Sequence, residues 1–288
     1  MAVEVTEESR TAPTPPKGPL VYRQKLLTRV THWLWAIALF FLLLSGLQIF
    51  NAHPALYVGQ ESGFEYDNMV LGMYAANSDN GPVGQTRVFG RTFDTTGLFG
   101  LSGPPERPQF RGFPSWATIP SYQDLATGRV VHFFFGWVLV AALFLWFLAS
   151  LVNGHIRRDV LPSGNDLREL PADIASHARL RFPRGRRYGA LQRLVYCVVF
   201  FILFPLIIAT GLTMSPGMDA GFPWLLDLFG GRQTARTIHF SVMVLLVLFF
   251  IVHIVMVFAA GPINELRSMI TGWYRTGPET PRQPGDRS

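Results

Sequence analysis

The chain has 288 residues, 49% hydrophobic and only 15% charged, with a formal net charge of +6. So low a charged fraction, against the roughly 25% of typical soluble domains, argues against an ordinary soluble fold. The basic excess does not indicate a nucleic-acid partner, because most of it borders apolar runs, where it sets topology and meets anionic lipid.

Residues 1–28 carry Glu4, Glu7 and Glu8 and then a proline-rich stretch without an apolar run, so no cleavable signal is expected and the first span is read as a signal-anchor. Apolar runs follow at 29–50, 129–152, 191–212 and 236–260, 93 residues in all. At about 1.5 Å per residue, each is long enough to cross a hydrocarbon core of about 30 Å. No Asp, Glu or Lys interrupts them, and Arg29, Arg129, Arg193 and Arg236 sit near their ends, where a guanidinium can snorkel to the interface. The 78-residue connection 51–128 is rich in Gly, Pro and aromatic residues and reads either as a folded cap or as a poorly ordered insertion. Residues 153–190 hold eight arginines, against Arg232 alone in 213–235. The positive-inside rule therefore places 153–190 and both tails, 1–28 and 261–288, in the cytoplasm, and 51–128 outside. Pro205 is expected to kink the third run. The fold class expected is all-α integral membrane, a four-helix bundle over 29–260.

Four of the seven histidines lie within the runs: His32, His132, His239 and His253. Ionisable groups at such depth are costly and mark function by default. His239 and His253 are 14 residues apart, which leaves them about 40° apart around a helix and about 21 Å apart along it. Given the topology, depth pairs His132 with His239 on the outer side and His32 with His253 on the inner side. Two cross-helix pairs suit two haems stacked across a bilayer, each iron gripped by two neutral imidazoles. Helix–helix hydrogen bonding is the alternative for any single one of them. Cys197 is alone and mid-span, so no Cys-x-x-Cys-His attachment exists and the haem expected is non-covalent, of b type.

The pattern Arg-x-x-His-aromatic occurs at Arg29–Trp33, Arg129–Phe133 and Arg236–Phe240. One turn separates Arg from His, which brings the guanidinium to the same face as the imidazole and within reach of a haem propionate; a plain topological role is the alternative. Gly136, one turn after His132, and the pair Ser45-Gly46 are small enough to admit a flat macrocycle, or serve close helix packing. His53, His155 and His177 are expected at the surface or in loops, with His155 as a substitute ligand and His53 as a candidate for an outer quinone pocket.

These features resemble the bacterial cytochrome b-561 and nickel-hydrogenase b-type cytochrome family over roughly residues 25–272. The likeness extends to the branch of thiosulfate reductase cytochrome b subunits in residues 45–54 (SGLQIFNAHP), 230–239 (GGRQTARTIH) and 269–272 (MITG). The resemblance implies two b haems, exchange of electrons with the quinone pool, location in the bacterial inner membrane, and a partner redox enzyme, often a periplasmic molybdopterin oxidoreductase. By motif position it carries the axial ligands to His32, His132, His239 and His253. The function expected is that of an electron-transfer subunit rather than an independent enzyme. The alternative is a stand-alone quinol oxidoreductase that reduces a small acceptor such as superoxide. A transporter with proton-relaying histidines ranks last, since inverted repeats, broken helices and intramembrane carboxylates are missing.

Overall fold

The structure is a computed structural model that describes residues 18–179 and 189–276. After a short strand β1 (Leu20–Tyr22), the chain enters α1 (Leu26–Phe50), the first of four helices among the described residues that are long and apolar enough to cross a membrane. Inside α1 the hydroxyls of Thr31 and Ser45 donate to the carbonyls four residues back, Leu27 at 2.9 Å and Phe41 at 2.5 Å. Polar groups are thereby satisfied within the helix, as an apolar surround requires.

The connection after α1 is folded and is not helical. Strands β2 (Ala55–Tyr57), β3 (Met69–Ser78), β4 (Gly81–Val88) and β5 (Arg91–Asp94) form an antiparallel sheet in that order, and β6 (Gly100–Ser102) pairs with β7 (Gln109–Arg111). The all-α expectation is thus corrected for this segment. Gly100 shows why a glycine stands at the crossing of the two sheets: its φ is +77°, and a Cβ there would lie 2.3 Å from the Tyr74 carbonyl oxygen.

The second span, α2 (Leu125–Val152), is capped by the Asp124 carboxylate, which accepts from the Thr127 amide at 3.0 Å. It packs along α1 through Trp35, Ala38, Leu139, Ala142 and Trp146, the two alanines letting the backbones approach. A π turn (Ile156–Val160) and a polar helix α3 (Gly164–Ala178) follow. The Asp173 carboxylate accepts from the Leu191 amide at 2.8 Å, satisfying a free N–H at the start of the third span. Arg181, Arg184, Arg186 and Arg187 of the basic loop, and the side chain of His177, lie outside the described residues.

The third span comprises α4 (Ala190–Val198), a π turn (Val199–Leu203) and α5 (Phe204–Thr213). The irregularity expected at Pro205 takes the form of this π turn. Proline lacks an N–H and collides with the carbonyl four residues back, and the wider turn just before it relieves both problems. Short helices α6 (Pro216–Gly221) and α7 (Trp224–Leu228) lead to the fourth span, α8 (Arg232–Ala260). α9 (Pro262–Thr271) and β8 (Trp273–Arg275) end the described chain, and β8 pairs antiparallel with β1. The segments expected as tails therefore fold together in part, across 18–28 and 261–276.

The spans begin one to four residues before the apolar runs, at Leu26, Leu125, Ala190 and Arg232, because small and polar residues such as Thr28, Gly128, Ala190 and Gln233 join their first turns. Only 11% to 28% of each span's most apolar stretch is buried against protein, and large apolar residues such as Phe134, Trp137, Phe144 and Phe250 face outward. Surfaces of this kind suit lipid. The molecule is an integral membrane helical bundle.

Candidate functional site

The bundle brings the four intramembrane histidines together as two pairs. His132 of α2 faces His239 of α8 with 6.3 Å between ring centroids and 59° between ring planes. His32 of α1 faces His253 of α8, also at 6.3 Å, with 52° between planes. Metal–imidazole bonds of about 2.0 Å to one shared ion place two ring centroids about 6 Å apart, so both separations suit a single ion between the rings. Among the described residues no three His, Cys, Asp or Glu side chains converge on a point. A metal held here needs its other ligands from a source such as a porphyrin.

The His132–His239 pair, at the end of the bundle that carries the folded connection, is fixed by hydrogen bonds from the neighbouring helices. His239 Nδ1 lies 3.0 Å from the Ile207 carbonyl oxygen and 3.2 Å from the Thr210 hydroxyl. A carbonyl only accepts, so the proton of the neutral ring is on Nδ1 and Nε2 keeps its lone pair. His132 Nδ1 lies 3.1 Å from the Ser45 hydroxyl, whose own proton goes to the Phe41 carbonyl at 2.5 Å. The same tautomer follows. Gly46 and Gly211 make these approaches possible: a Cβ at either would stand 3.2 Å from the imidazole Cε1. Ser45 and Gly46 are visible in the sequence as small residues; Thr210 and Gly211 are not singled out there, although Thr210-Gly211-Leu212 echoes Ser45-Gly46-Leu47.

The cap roofs this pair. Phe50, Leu56, Met73 and Phe113 form a buried cluster against Phe240, the residue after His239, with the Phe50 and Phe240 rings 4.9 Å apart. β2 and the loop after it bond to the first turns of α8. The Gly59 carbonyl accepts from the amides of Gln233 and Thr234, the Tyr57 carbonyl accepts from the Thr237 hydroxyl at 2.6 Å, and the Thr234 hydroxyl accepts from the Gly59 amide at 2.7 Å. Free N–H groups at the helix start are satisfied by the cap itself.

The His32–His253 pair, at the opposite end of the bundle, has a more apolar frame. The His32 ring meets Trp33 edge-on and His253 stacks on Phe249 at 5.9 Å. His32 Nδ1 is buried without a hydrogen-bond partner. An imidazole at this depth whose Nδ1 meets no protein partner is not there for helix–helix hydrogen bonding, which fits a ligand role better than a packing role.

The three arginines have different settings. Arg29 donates to the Thr271 carbonyl at 3.2 Å, Arg129 is exposed with its guanidinium over the Phe133 ring, and Arg236 donates to the His53 carbonyl while lying over the Phe50 ring. A side chain added at Gly136 would meet only Leu42 Cδ2, at 4.0 Å, so the space beside that glycine is open. His53 is exposed and stacks on Tyr57; burial beside the bundle, and next the Arg236 charge, lower its pKa. His155 meets Trp146 edge-on and lines a cavity of about 250 Å³ beside the C-terminal end of α2 with Ser150, Asn153, Arg158 and residues 21–25. It is apart from both histidine pairs. Cys197 is half-buried and not disulfide-bonded.

A four-span bundle with paired intramembrane histidines defines a membrane cytochrome. Residues 112–272, more than half of the chain, match the prokaryotic cytochrome b561 family, and the chain belongs to that family. It is also 26% identical over 248 residues to YedZ1 of Azospira oryzae, by its name a candidate subunit of a protein-methionine-sulfoxide reductase; the match covers 85% of this chain and 93% of that protein. The protein is thus a multi-pass electron-transport cytochrome of a family that binds b-type haem. The likeness to YedZ1 does not single out the thiosulfate reductase branch.

Proposed function

We propose that the protein carries electrons through the bacterial inner membrane between the quinone pool and a redox enzyme on the outer side, using two b haems. The outer haem is held by His132 and His239, the inner by His32 and His253. The observation that carries this reading is the pair of matched 6.3 Å separations, one on each side of the bundle. Their spacing along α8, about 21 Å from centre to centre, spans most of a hydrocarbon core.

Haem b, when bound, supplies a reversible one-electron Fe(III)/Fe(II) couple at each depth. The chain's residues do the rest. Ser45, Thr210 and the Ile207 carbonyl hold the outer rings with Nε2 free to ligate. Phe50, Phe113 and Phe240 exclude water from the outer site. Arg129 and Arg236, one turn before their histidines, are placed to neutralise propionates, Arg29 does the same on the inner side, and Gly136 leaves room for the macrocycle. The inner cavity beside His155 offers Ser150, Asn153 and Arg158 as donors suited to the two carbonyl oxygens of a quinone headgroup.

The partner is proposed to be a molybdopterin oxidoreductase outside the membrane, of a kind that reduces a small oxidised substrate; the name of YedZ1 supports a reductase. The folded cap gives that partner a docking surface above the outer haem. The termini are proposed to lie in the cytoplasm. Anaerobic addition of quinol to the purified protein in lipid vesicles tests the reading: ferrous b-type bands should appear without a further protein. Two b haems that quinol leaves oxidised would contradict the quinone assignment.

A further inference from the structure

The setting of the outer histidines is built twice from the same parts. On α1 these are the Ser45 hydroxyl and Gly46; on α5 they are the Thr210 hydroxyl and Gly211, joined there by the Ile207 carbonyl. In each copy the hydroxyl donates its proton four residues back, to Phe41 or Leu206, and so accepts from the imidazole. The sequence repeats with the geometry. Ser45-Gly46-Leu47 precedes the helix that carries Arg129 and His132, and Thr210-Gly211-Leu212 precedes the helix that carries Arg236 and His239. Arg29 and Ser45 are 16 residues apart, Arg193 and Thr210 are 17, and the π turn at Val199–Leu203 absorbs the extra residue. The α1–α2 and third-span–α8 pairs are therefore two copies of one unit.

The inner pair breaks that symmetry. Where the repeat would place counterparts of His253 and His32, the chain has Trp146 and Tyr196, packed on Phe200 with ring centroids 4.3 and 6.5 Å away. His32 meanwhile has no acceptor for Nδ1.

We propose that Ser45 and Thr210, with the Ile207 carbonyl, are positioning residues that hold the outer haem at the lower reduction potential of the two; this rests on the di-haem reading above. His239 gives its Nδ1 proton to the Ile207 carbonyl and the Thr210 hydroxyl, and His132 gives its own to the Ser45 hydroxyl; donation from Nδ1 raises electron density on Nε2, which would stabilise oxidised iron. At the inner site His32 lacks that donation, so iron held there is the more readily reduced. The two sites thus differ in potential through hydrogen bonding to the ligands, although their ring separations are the same.

The test is an equilibrium redox titration of the haem-loaded full-length protein, followed by its b-type absorbance. Two one-electron steps are expected, the lower of which disappears in His239→Ala. Ser45→Ala and the isosteric Thr210→Val should each move the lower step upward, with the upper step and a content of two haems per chain unchanged, and Thr210→Ser should return it toward the wild-type position. The proposal is overturned if the lower step survives His239→Ala and is lost in His253→Ala, or if Thr210→Val and Ser45→Ala retain both haems and shift nothing. Should Ser45→Ala shed its haem, Thr210→Val decides. A wild-type protein with fewer than two haems overturns the underlying reading instead.

Discussion

Asn51, at the end of α1, clasps Phe113 of the cap in both directions: its side-chain oxygen accepts from the Phe113 amide at 2.7 Å and its nitrogen donates to the Phe113 carbonyl at 3.1 Å. Both residues are buried. Asn51→Ala leaves two buried backbone groups unpaired, each costing about 1–3 kcal/mol. The expected result is a cap that opens locally while the spans stay folded. Hydrogen exchange should show faster amides across 100–118 and unchanged amides in α2 and α8.

The glycines against the outer imidazoles allow a selective lesion. Gly211→Ala sets a methyl 3.2 Å from His239 Cε1, and Gly46→Ala does the same to His132. That contact is tighter than ordinary packing, so each ring must give by a few tenths of an ångström, away from the position in which Nδ1 is held. Haem quantitation should fall from two per chain toward one in either variant, with the inner haem retained.

The junction between cap and α8 should weaken in mild acid. His53 has its pKa lowered from 6.5 by burial and then by the Arg236 charge. The unfolded chain therefore takes up this proton at a higher pH than the folded one. The contribution to stability is full above pH 6.5 and is lost as the pH falls from there through the lowered folded value. Once the intrinsic slowing of exchange in acid is divided out, the protection factors of the β2 amides should fall as the pH drops below about 6.5, and His53→Gln should remove that fall.

Much of this arrangement is legible in the sequence because a membrane imposes strict composition. Runs free of Asp, Glu and Lys give the spans. The 14-residue interval between His239 and His253 specifies one helix stripe, and the alternating direction of the spans then picks out the partners that the structure brings together. The cap is illegible for the opposite reason. β3 reads Met-Val-Leu-Gly-Met-Tyr-Ala-Ala-Asn-Ser, without polar alternation, and its pairing with β2 and β4 depends on contacts distant in sequence. Thr210 and Gly211 pass unnoticed because a threonine and a glycine in a span are common. Only their position beside His239, repeating Ser45 and Gly46 beside His132, gives them meaning. The helix starts run earlier than the apolar runs because Leu125-Ala126-Thr127-Gly128 and Arg232-Gln233-Thr234-Ala235 are helical yet too polar or too small to count as membrane core.

Histidine pairing across the bundle is open to single substitutions read by reduced-minus-oxidised spectra and haem counts. Two b haems are expected per wild-type chain. His132→Ala and His239→Ala should remove one and the same spectral component, and His32→Ala and His253→Ala should remove the other. Loss of a common component in His32→Ala and His239→Ala would contradict it.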